Sequence, residues 1–206
     1  MKIALLGATG RVGNEILSLL LNAGHSATIL VRTPEKIQIS SPSLTVLKGD
    51  ATKYNDIEQV IVGSDLVISA LNTDGTNTLS VATPYIISAM NKFGLNRLIT
   101  IGTAGILQSR LEPEEYRFQS SESRRKTTRA AEQHLTVYHQ LQGSKLNWTI
   151  VCPTYLPDGE LTKNYRYEAD FLPEDGKEIS VQDTAHFAFQ QIKSEEFMKK
   201  RVGICY

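Results

Sequence analysis

Short apolar runs recur along the chain and alternate with longer segments in which apolar residues repeat every three or four positions. This alternation is typical of a parallel sheet whose strands are joined by crossover helices. Several of the short runs are apolar almost throughout, as in strands that are buried on both faces. The predicted strands cover residues 2–6, 27–31, 44–47, 66–70, 97–101, 148–152 and 202–205.

The segments between these strands have the spacing of amphipathic helices. In the first segment, Val12, Ile16 and Leu19 fall on one helical face, and Gly24 follows as a C-terminal stop. The predicted helices cover residues 11–22, 55–61, 79–93, 126–140 and 181–192. This order predicts an α/β fold with a doubly wound parallel sheet, a Rossmann fold, between two layers of helices. We expect residues 1–206 to form a single domain, because no repeat or linker divides them.

The composition is that of an ordinary globular protein. Lys plus Arg and Asp plus Glu both number 22, which argues against a nucleic acid or a membrane surface as a partner. No apolar stretch is long enough to span a membrane, and glycine and threonine interrupt the opening apolar run too early for a signal peptide. Cys152 and Cys205 are therefore expected to be free thiols, and the protein to be a cytoplasmic monomer or weak dimer.

Two longer segments follow predicted strands, at residues 107–123 and 153–177. Both contain proline and charged or polar residues. In a doubly wound sheet they leave the carboxyl edge, where ligands bind, so they are candidate walls of an acceptor site. Long surface connections without a ligand are the alternative interpretation.

The first predicted strand runs directly into a glycine-rich turn and then into a helix. The glycines Gly7, Gly10 and Gly13 allow a tight turn, close approach of backbone N–H groups to a diphosphate, and close packing of the helix on the strand. The amino end of the helix adds unpaired amides and about half a positive charge. This pattern predicts a dinucleotide site formed by Gly7, Ala8, Thr9, Gly10, Arg11, Val12 and Gly13.

The residues after the second strand indicate which dinucleotide binds. Sites that prefer NAD have an acidic residue at this point, whereas this chain has Arg32 followed by Thr33. A guanidinium and a hydroxyl suit the 2′-phosphate, so we expect NADP(H) as the cofactor. A solvated arginine at a strand end is the alternative. Asp50, which Ala51 follows, either contacts the adenine or serves as a turn or helix-cap residue.

Several segments together resemble the atypical short-chain dehydrogenase/reductase family. They are GATGRVG at residues 7–13, LVRTPEK at 30–36, LKGDATKYNDI at 47–57, DLVISALNT at 65–73, WTIVCPTYLPDGELT at 148–162 and ISVQDTAHF at 179–187. The resemblance covers nearly the whole chain. It is most specific to the small NAD(P)H-binding branch that includes biliverdin reductase B, also called flavin reductase.

The resemblance implies further cofactor contacts. Ala70, Leu71 and Asn72 would line the cofactor, and Thr103 would stand beside the nicotinamide. Residues 153–156, which are Pro153, Thr154, Tyr155 and Leu156, would close over the nicotinamide end. The chain has Thr154 where biliverdin reductase B has a histidine, which argues against bilin reduction.

The residues for proton transfer differ from those of the wider superfamily. Many of its members use a Tyr-x-x-x-Lys pair, but no tyrosine here has a lysine four residues later. Transfer of hydride to a flavin, a quinone or a similar conjugated acceptor needs only correct orientation, since solvent can supply the proton. The catalytic candidates are Thr103, whose hydroxyl could instead bond nearby backbone, and Tyr155, which could instead pack in its loop.

The other polar candidates favour structural roles. His134 is interpreted as a satisfied, partly buried histidine, and His186 as a helix-packing residue. The charge run 122–129 is interpreted as a solvated helix start, although Arg124 and Arg125 could border an acceptor pocket. No group of residues has the spacing of metal ligands, so no metal is expected.

Two functions follow from these observations. The first is an NADPH-dependent oxidoreductase acting on a small conjugated acceptor. The second is a non-enzymatic sensor of NADP(H) that resembles NmrA-like regulators. This function is retained because the sequence shows recognisable cofactor-binding residues but no clear set of catalytic residues.

Overall fold

The structure is a computed structural model that describes residues 1–73, 75–123 and 127–206. These residues form eight strands and five α-helices. The strands are β1 (Lys2–Leu6), β2 (Ser26–Val31), β3 (Leu44–Lys48), β4 (Leu66–Ser69), β5 (Arg97–Ile101), β6 (Asn147–Pro153), β7 (Arg166–Ala169) and β8 (Lys200–Cys205). The helices are α1 (Arg11–Asn22), α2 (Tyr54–Ile61), α3 (Thr78–Lys92), α4 (Arg129–Gln142) and α5 (Val181–Gln190).

The strands form one sheet in the order β3-β2-β1-β4-β5-β6-β8-β7. Every neighbouring pair is parallel except β7 and β8, which are antiparallel. The chain first builds outward from β1 through β2 to β3 and then crosses back to β4 on the other side of β1. The carboxyl ends of β1 and β4 therefore mark the switch point where doubly wound sheets bind ligands.

Alternate residues of each central strand supply the two faces of the core. On β1, Ile3 and Leu5 belong to the apolar cluster that contains Ile16 of α1, while Leu6 belongs to the opposite cluster with Ile57 of α2. All five side chains are fully buried. Burial of a side chain of this size contributes about 1.5 to 3 kcal/mol. The three-layer Rossmann fold predicted from the sequence is confirmed.

Helix α1 shows how the sequence pattern produces an element of this fold. Its inward residues Val12, Ile16, Leu17 and Leu20 are buried, as the helical spacing predicts. The helix ends at Ala23, and Gly24 follows with a φ of 76°, a conformation that glycine adopts without strain. The helix thus runs from the glycine turn to a glycine stop, with one apolar face on the sheet.

The largest differences between the structure and the sequence prediction lie in two places, and the other element ends shift by at most two residues. The segment 153–177 contains the short strand β7, whose register pairs Tyr167 with Ile204 at the sheet edge. Its half-exposed, polar residues lack the apolar pattern of the other strands. The fourth helix runs over Arg129–Gln142 instead of 126–140, and Lys126 lies outside the described residues. Cys152 and Cys205 are buried free thiols, as predicted.

No helix in the described part of the chain is long and apolar enough to cross a membrane.

Candidate functional site

The turn between β1 and α1 is shaped by two very close backbone approaches. Gly7 has a φ of 82°, and a Cβ there would lie 2.3 Å from the carbonyl oxygen of Ala70. The N–H of Gly10 donates to the carbonyl of Gly7 at 3.0 Å, which closes the turn. Gly10 is also the N-cap of α1 and has no side chain to cap the first-turn amides. The first-turn amides of α1 therefore have no side-chain cap, which fits a bound diphosphate.

A continuous crevice runs along the carboxyl edge of the sheet on both sides of this turn. It consists of one cavity of about 220 Å³ and another of about 400 Å³. Five residues line both cavities: Thr9, Gly10, Ala70, Leu71 and Asn72. Because the cavities share these walls, an elongated ligand can pass over the glycine turn from one to the other.

The smaller cavity lies at the carboxyl ends of β2 and β3. Arg32 lines it together with Asp50 and Ala51. The Asp50 carboxylate accepts hydrogen bonds from the N–H and the hydroxyl of Thr52, each at 2.9 Å. These bonds, reinforced by the nearby charge of Arg32, lower the pKa of Asp50 below its ordinary value. Asp50 is thus a turn residue that also forms part of the cavity wall, while Thr33 is exposed and starts a short 3₁₀ turn.

The larger cavity lies at the carboxyl ends of β4, β5 and β6. Pro153 and Leu156 line it, as do Arg11 and Val12 from the start of α1. Ala8 is fully buried beneath the turn and supports it from below. The crevice thus brings together the residues predicted from the glycine turn and those predicted from the segment after β6.

A third cavity of about 180 Å³ lies beside the end of β5 and contains Thr103 and Thr154 in its wall. The Thr103 hydroxyl accepts a long hydrogen bond, 3.4 Å, from the N–H of Gly105. A hydroxyl that accepts in this way still has its proton to donate. Tyr155 is 63% exposed, and its carbonyl accepts from the N–H of Ile179. Among the described residues, Tyr155 is not one of those lining these three cavities.

Arg11 connects the glycine turn to the segment after β6. Its guanidinium donates to the carbonyl of Leu156 at 3.0 Å and to the carboxylate of Asp158 at 2.9 Å. Both partners lie more than 140 positions away along the chain, so the sequence alone does not reveal the contact. The contact holds the wall of the larger cavity against the start of α1.

In the charge run 122–129, Arg129 is exposed at the start of α4, as predicted, whereas Glu122 is not solvated because its side chain is largely buried. Its carboxylate pairs with the Arg117 guanidinium at 2.7 Å and accepts from the hydroxyl of Ser109 at 2.8 Å. Burial acts to raise the pKa of Glu122, but these bonds and those from the backbone N–H groups of Leu111 and Arg110 outweigh it and lower the pKa to about 2. Glu122 therefore fastens the segment 107–123 beside the third cavity. Arg124 and Arg125 lie outside the described residues.

The two histidines that the sequence assigned to structural roles differ from each other. His186 fits its packing role, since its ring meets the Tyr165 ring and its Nδ1 lies 2.7 Å from the Tyr165 hydroxyl. His134 is buried, lines the larger cavity, and has no hydrogen-bond partner among residues 1–73, 75–123 and 127–206, so its interpretation as a satisfied histidine stays a prediction. Helical spacing identified its inward face but not the polar cavity beneath it.

The fold and the crevice define the class of an NAD(P)-binding Rossmann protein. A sequence model of a family described as NAD(P)H-binding matches residues 7–195, so this chain belongs to that NAD(P)H-binding family. The resemblance inferred from the sequence motifs is confirmed, and the cofactor that this family membership indicates is a nicotinamide dinucleotide.

Relatives of the same length share this fold. The uncharacterized protein YwnB of Bacillus subtilis is 27% identical, over 99% of this chain and 98% of its own. A Bacteroides thetaiotaomicron structure provisionally named an epimerase is 29% identical with a TM-score of 0.85, covering 100% and 96% of the two chains. A Streptococcus pneumoniae structure provisionally named an NADH-flavin reductase is 25% identical with a TM-score of 0.82, covering 100% and 99%.

Proposed function

We propose that the protein is an NADPH-dependent reductase that passes hydride to a small conjugated acceptor such as a flavin or a quinone. One observation carries this proposal. The crevice has a guanidinium at one end, a glycine cradle in the middle, and a half-apolar cavity next to a hydroxyl-lined one at the other end. The guanidinium suits the 2′-phosphate, the glycine cradle suits the diphosphate, and the two cavities at the other end suit the nicotinamide and its acceptor.

The residues that would hold the cofactor follow from this arrangement. Arg32 and Thr33 would bind the 2′-phosphate, and the amides of residues 10–13 would bind the diphosphate. A charge-assisted hydrogen bond to the 2′-phosphate contributes about 1.5 to 3 kcal/mol, enough for a preference of about ten- to a hundredfold for NADPH over NADH. Bound NADPH would supply a hydride and be oxidised to NADP, the acceptor would be reduced by two electrons, and solvent would supply the proton.

The chain's own contribution to the reaction is orientation. Thr103 lies between the crevice and the third cavity, where its free hydroxyl proton can be donated to the carboxamide or to an acceptor carbonyl. Pro153, Thr154 and Leu156 would confine the ring system and exclude water. Tyr155 is exposed, so in this proposal it would act only by stacking on an acceptor after turning inward.

The name of the pneumococcal relative supports this class of acceptor, since that protein is provisionally named a flavin reductase. That name specifies NADH, whereas the position of Arg32 at the crevice favours NADPH for this chain. The absence of a Tyr-x-x-x-Lys pair in the sequence supports an acceptor that needs no protein acid.

Oxidation of NADPH by the purified protein tests the proposal. The protein is mixed with NADPH or NADH and a panel of free flavins, quinones and dyes, and the loss of nicotinamide absorbance is followed. We expect turnover with at least one conjugated acceptor and a lower KM for NADPH than for NADH. Tight binding of both NADPH and NADP without turnover across the panel would instead identify a redox sensor. That outcome would remove the reductase assignment.

A further inference from the structure

His134 differs from the other histidines of the chain in having no polar partner. A ring nitrogen of His25 lies 3.5 Å from the terminal amine, one of His139 lies 3.2 Å from Gln142, and one of His186 lies 2.7 Å from Tyr165. Among the described residues, nothing donates to or accepts from the ring of His134. Yet His134 is only 9% exposed. Its ring nitrogens are not among the fully buried side-chain atoms that lack a partner, so a ligand in the cavity that His134 lines can reach them.

The ring faces the larger cavity of the crevice. His134 lies on the buried face of α4 and lines this cavity together with Leu71, Gly102 and Pro153. What remains accessible of the side chain therefore opens onto the crevice, at the end away from Arg32. Nothing charged in the described chain is bonded to it.

The other polar side chains in this half of the crevice are exposed, and two of them also bond to neighbouring groups. Asn72 accepts from the N–H of Thr73 at 2.8 Å, and Arg11 donates to Leu156 and Asp158. Thr9 is exposed at the turn. His134 is thus the buried polar group of this cavity whose hydrogen-bonding capacity is unused within the described residues.

The protonation state of the ring fixes the kind of contact it can make. Burial lowers the pKa of His134 to about 4, so the imidazole is neutral at physiological pH. A neutral imidazole has one N–H donor and one nitrogen acceptor. It suits an uncharged polar group such as an amide or a hydroxyl, and it offers no ion pair to a phosphate.

We infer that His134 is a binding residue for the nicotinamide riboside half of the dinucleotide, to which its neutral ring forms a hydrogen bond. The bonded group is the carboxamide or a ribose hydroxyl, which share this uncharged chemistry. The inference rests on the proposed function, because it takes the crevice to hold the nucleotide with its adenine end at Arg32.

Calorimetric binding of three ligands to the whole protein tests the inference. NADPH has the complete riboside, 2′-phospho-ADP-ribose lacks only the nicotinamide, and 2′,5′-ADP lacks the nicotinamide, its ribose and the phosphate attached to that ribose. In His134→Phe, which keeps a ring of similar size, we expect the Kd of NADPH to rise about five- to tenfold. The Kd of 2′,5′-ADP should stay within about twofold of the wild-type value. His134→Gln, which restores a donor and an acceptor, should recover part of the loss.

The third ligand identifies the bonded group. If His134→Phe binds 2′-phospho-ADP-ribose with wild-type affinity, the bond goes to the carboxamide. If the variant binds 2′-phospho-ADP-ribose as well as NADPH more weakly, the bond goes to the ribose. Both results support the inference. Equal weakening of all three ligands, no weakening of any, or a higher KM for the acceptor alone would overturn it. If His134→Phe does not fold, His134→Leu is used in the same comparison.

Two controls separate this test from the test of the proposed function. His139→Phe, on the exposed side of the same helix, should leave all three affinities unchanged. If the wild-type protein prefers NADH, then NADH, ADP-ribose and ADP replace the three ligands and the comparison is the same. Failure of the wild-type protein to bind any nicotinamide nucleotide would refute the proposed function. Normal wild-type binding without a change in His134→Phe would refute only the role of His134.

Discussion

Gly13 lies so close to Gly7 that a Cβ at position 13 would be 2.1 Å from the carbonyl oxygen of Gly7. Gly13 is in the first turn of α1, and Gly7 is the residue that immediately follows β1. The contact therefore sets the distance between the helix and the strand, and with it the position of the helix amides in the crevice. A methyl group at position 13 cannot be accommodated unless the helix moves.

Gly13→Ala should impair both folding and nucleotide binding. Overpacking of this kind costs about 1 to 3 kcal/mol, and the displaced helix should also weaken NADPH binding by at least about tenfold. Urea unfolding and calorimetry measure the two effects. Gly143→Ala is the matched control, since a Cβ there would lie 3.7 Å from its nearest neighbours. A Gly13→Ala protein with wild-type stability and affinity would show that α1 does not depend on this approach.

Arg32→Asp should reverse the choice of nucleotide. A carboxylate at the end of β2 repels a 2′-phosphate and can accept hydrogen bonds from the ribose hydroxyls of NADH. We expect NADPH affinity to fall about tenfold or more while NADH affinity holds or improves. The ratio of the two Kd values is the measurement. Lys145→Asp, exposed between α4 and β6, makes the same charge change away from the crevice. An equal loss for both nucleotides would contradict the role of Arg32.

The architecture and the cofactor crevice were accessible from the sequence because both depend on local patterns. The helical spacing of Val12, Ile16 and Leu20 needs no distant residue to be recognised, and neither does a glycine triplet between a strand and a helix. The order of the strands then places the ends of β1 and β4 together. The fold and the position of the glycine turn at the switch point follow from these short-range rules.

Most of the features that sequence reasoning missed depend on residues far apart in the chain. Arg11 forms a hydrogen bond with Asp158. The strand β7 forms by pairing with β8, with Tyr167 opposite Ile204. Glu122 looked solvated within its charge run because the groups that bury it come from the preceding loop. The cavity beneath His134 is formed by the ends of three strands. Periodicity shows which face of a helix is inward, but not whether the space there is filled.

Glu122 should make stability sensitive to acid. Its pKa is 4.5 in the unfolded chain and about 2 in the folded one, so its contribution is complete above pH 4.5 and disappears as the pH falls to about 2. A shift of this size corresponds to about 3 kcal/mol. Glu122→Gln should therefore lower the free energy of unfolding at pH 7. Between pH 4.5 and 2, this free energy should fall less steeply in the variant than in the wild type, as measured by urea titrations. Glu114→Gln, on the exposed side of the same loop, should do neither.

Asp183 should anchor the segment that follows β6. Its buried carboxylate accepts from the hydroxyl of Thr162 at 2.7 Å, from the N–H of Lys163 at 2.8 Å and from the hydroxyl of Tyr206 at 2.8 Å. Asp183→Asn places an amide N–H against these donors and should cost about 1 to 3 kcal/mol. Thermal unfolding gives the value, with the exposed Asp175→Asn as the control. An unchanged melting temperature would show that the carboxylate charge is not required.

Thr103 gives the sharpest test of how the site acts on its acceptor. Thr103→Val has the same shape without the hydroxyl, so packing is preserved while the donor is lost. If Thr103 orients the reacting groups, kcat should fall about tenfold with the Kd of NADPH unchanged within about twofold.

The conservative variant Thr103→Ser keeps the hydroxyl and should restore most of kcat. Because the same hydroxyl accepts from the N–H of Gly105 at 3.4 Å, the stability of Thr103→Val is measured as well. A hydrogen bond of that length contributes little to stability, so the free energy of unfolding should change by less than about 1 kcal/mol. A large loss of stability together with an unchanged kcat would make Thr103 a cap of the following turn. The orientation of the reacting groups would then have to come from other groups in the third cavity.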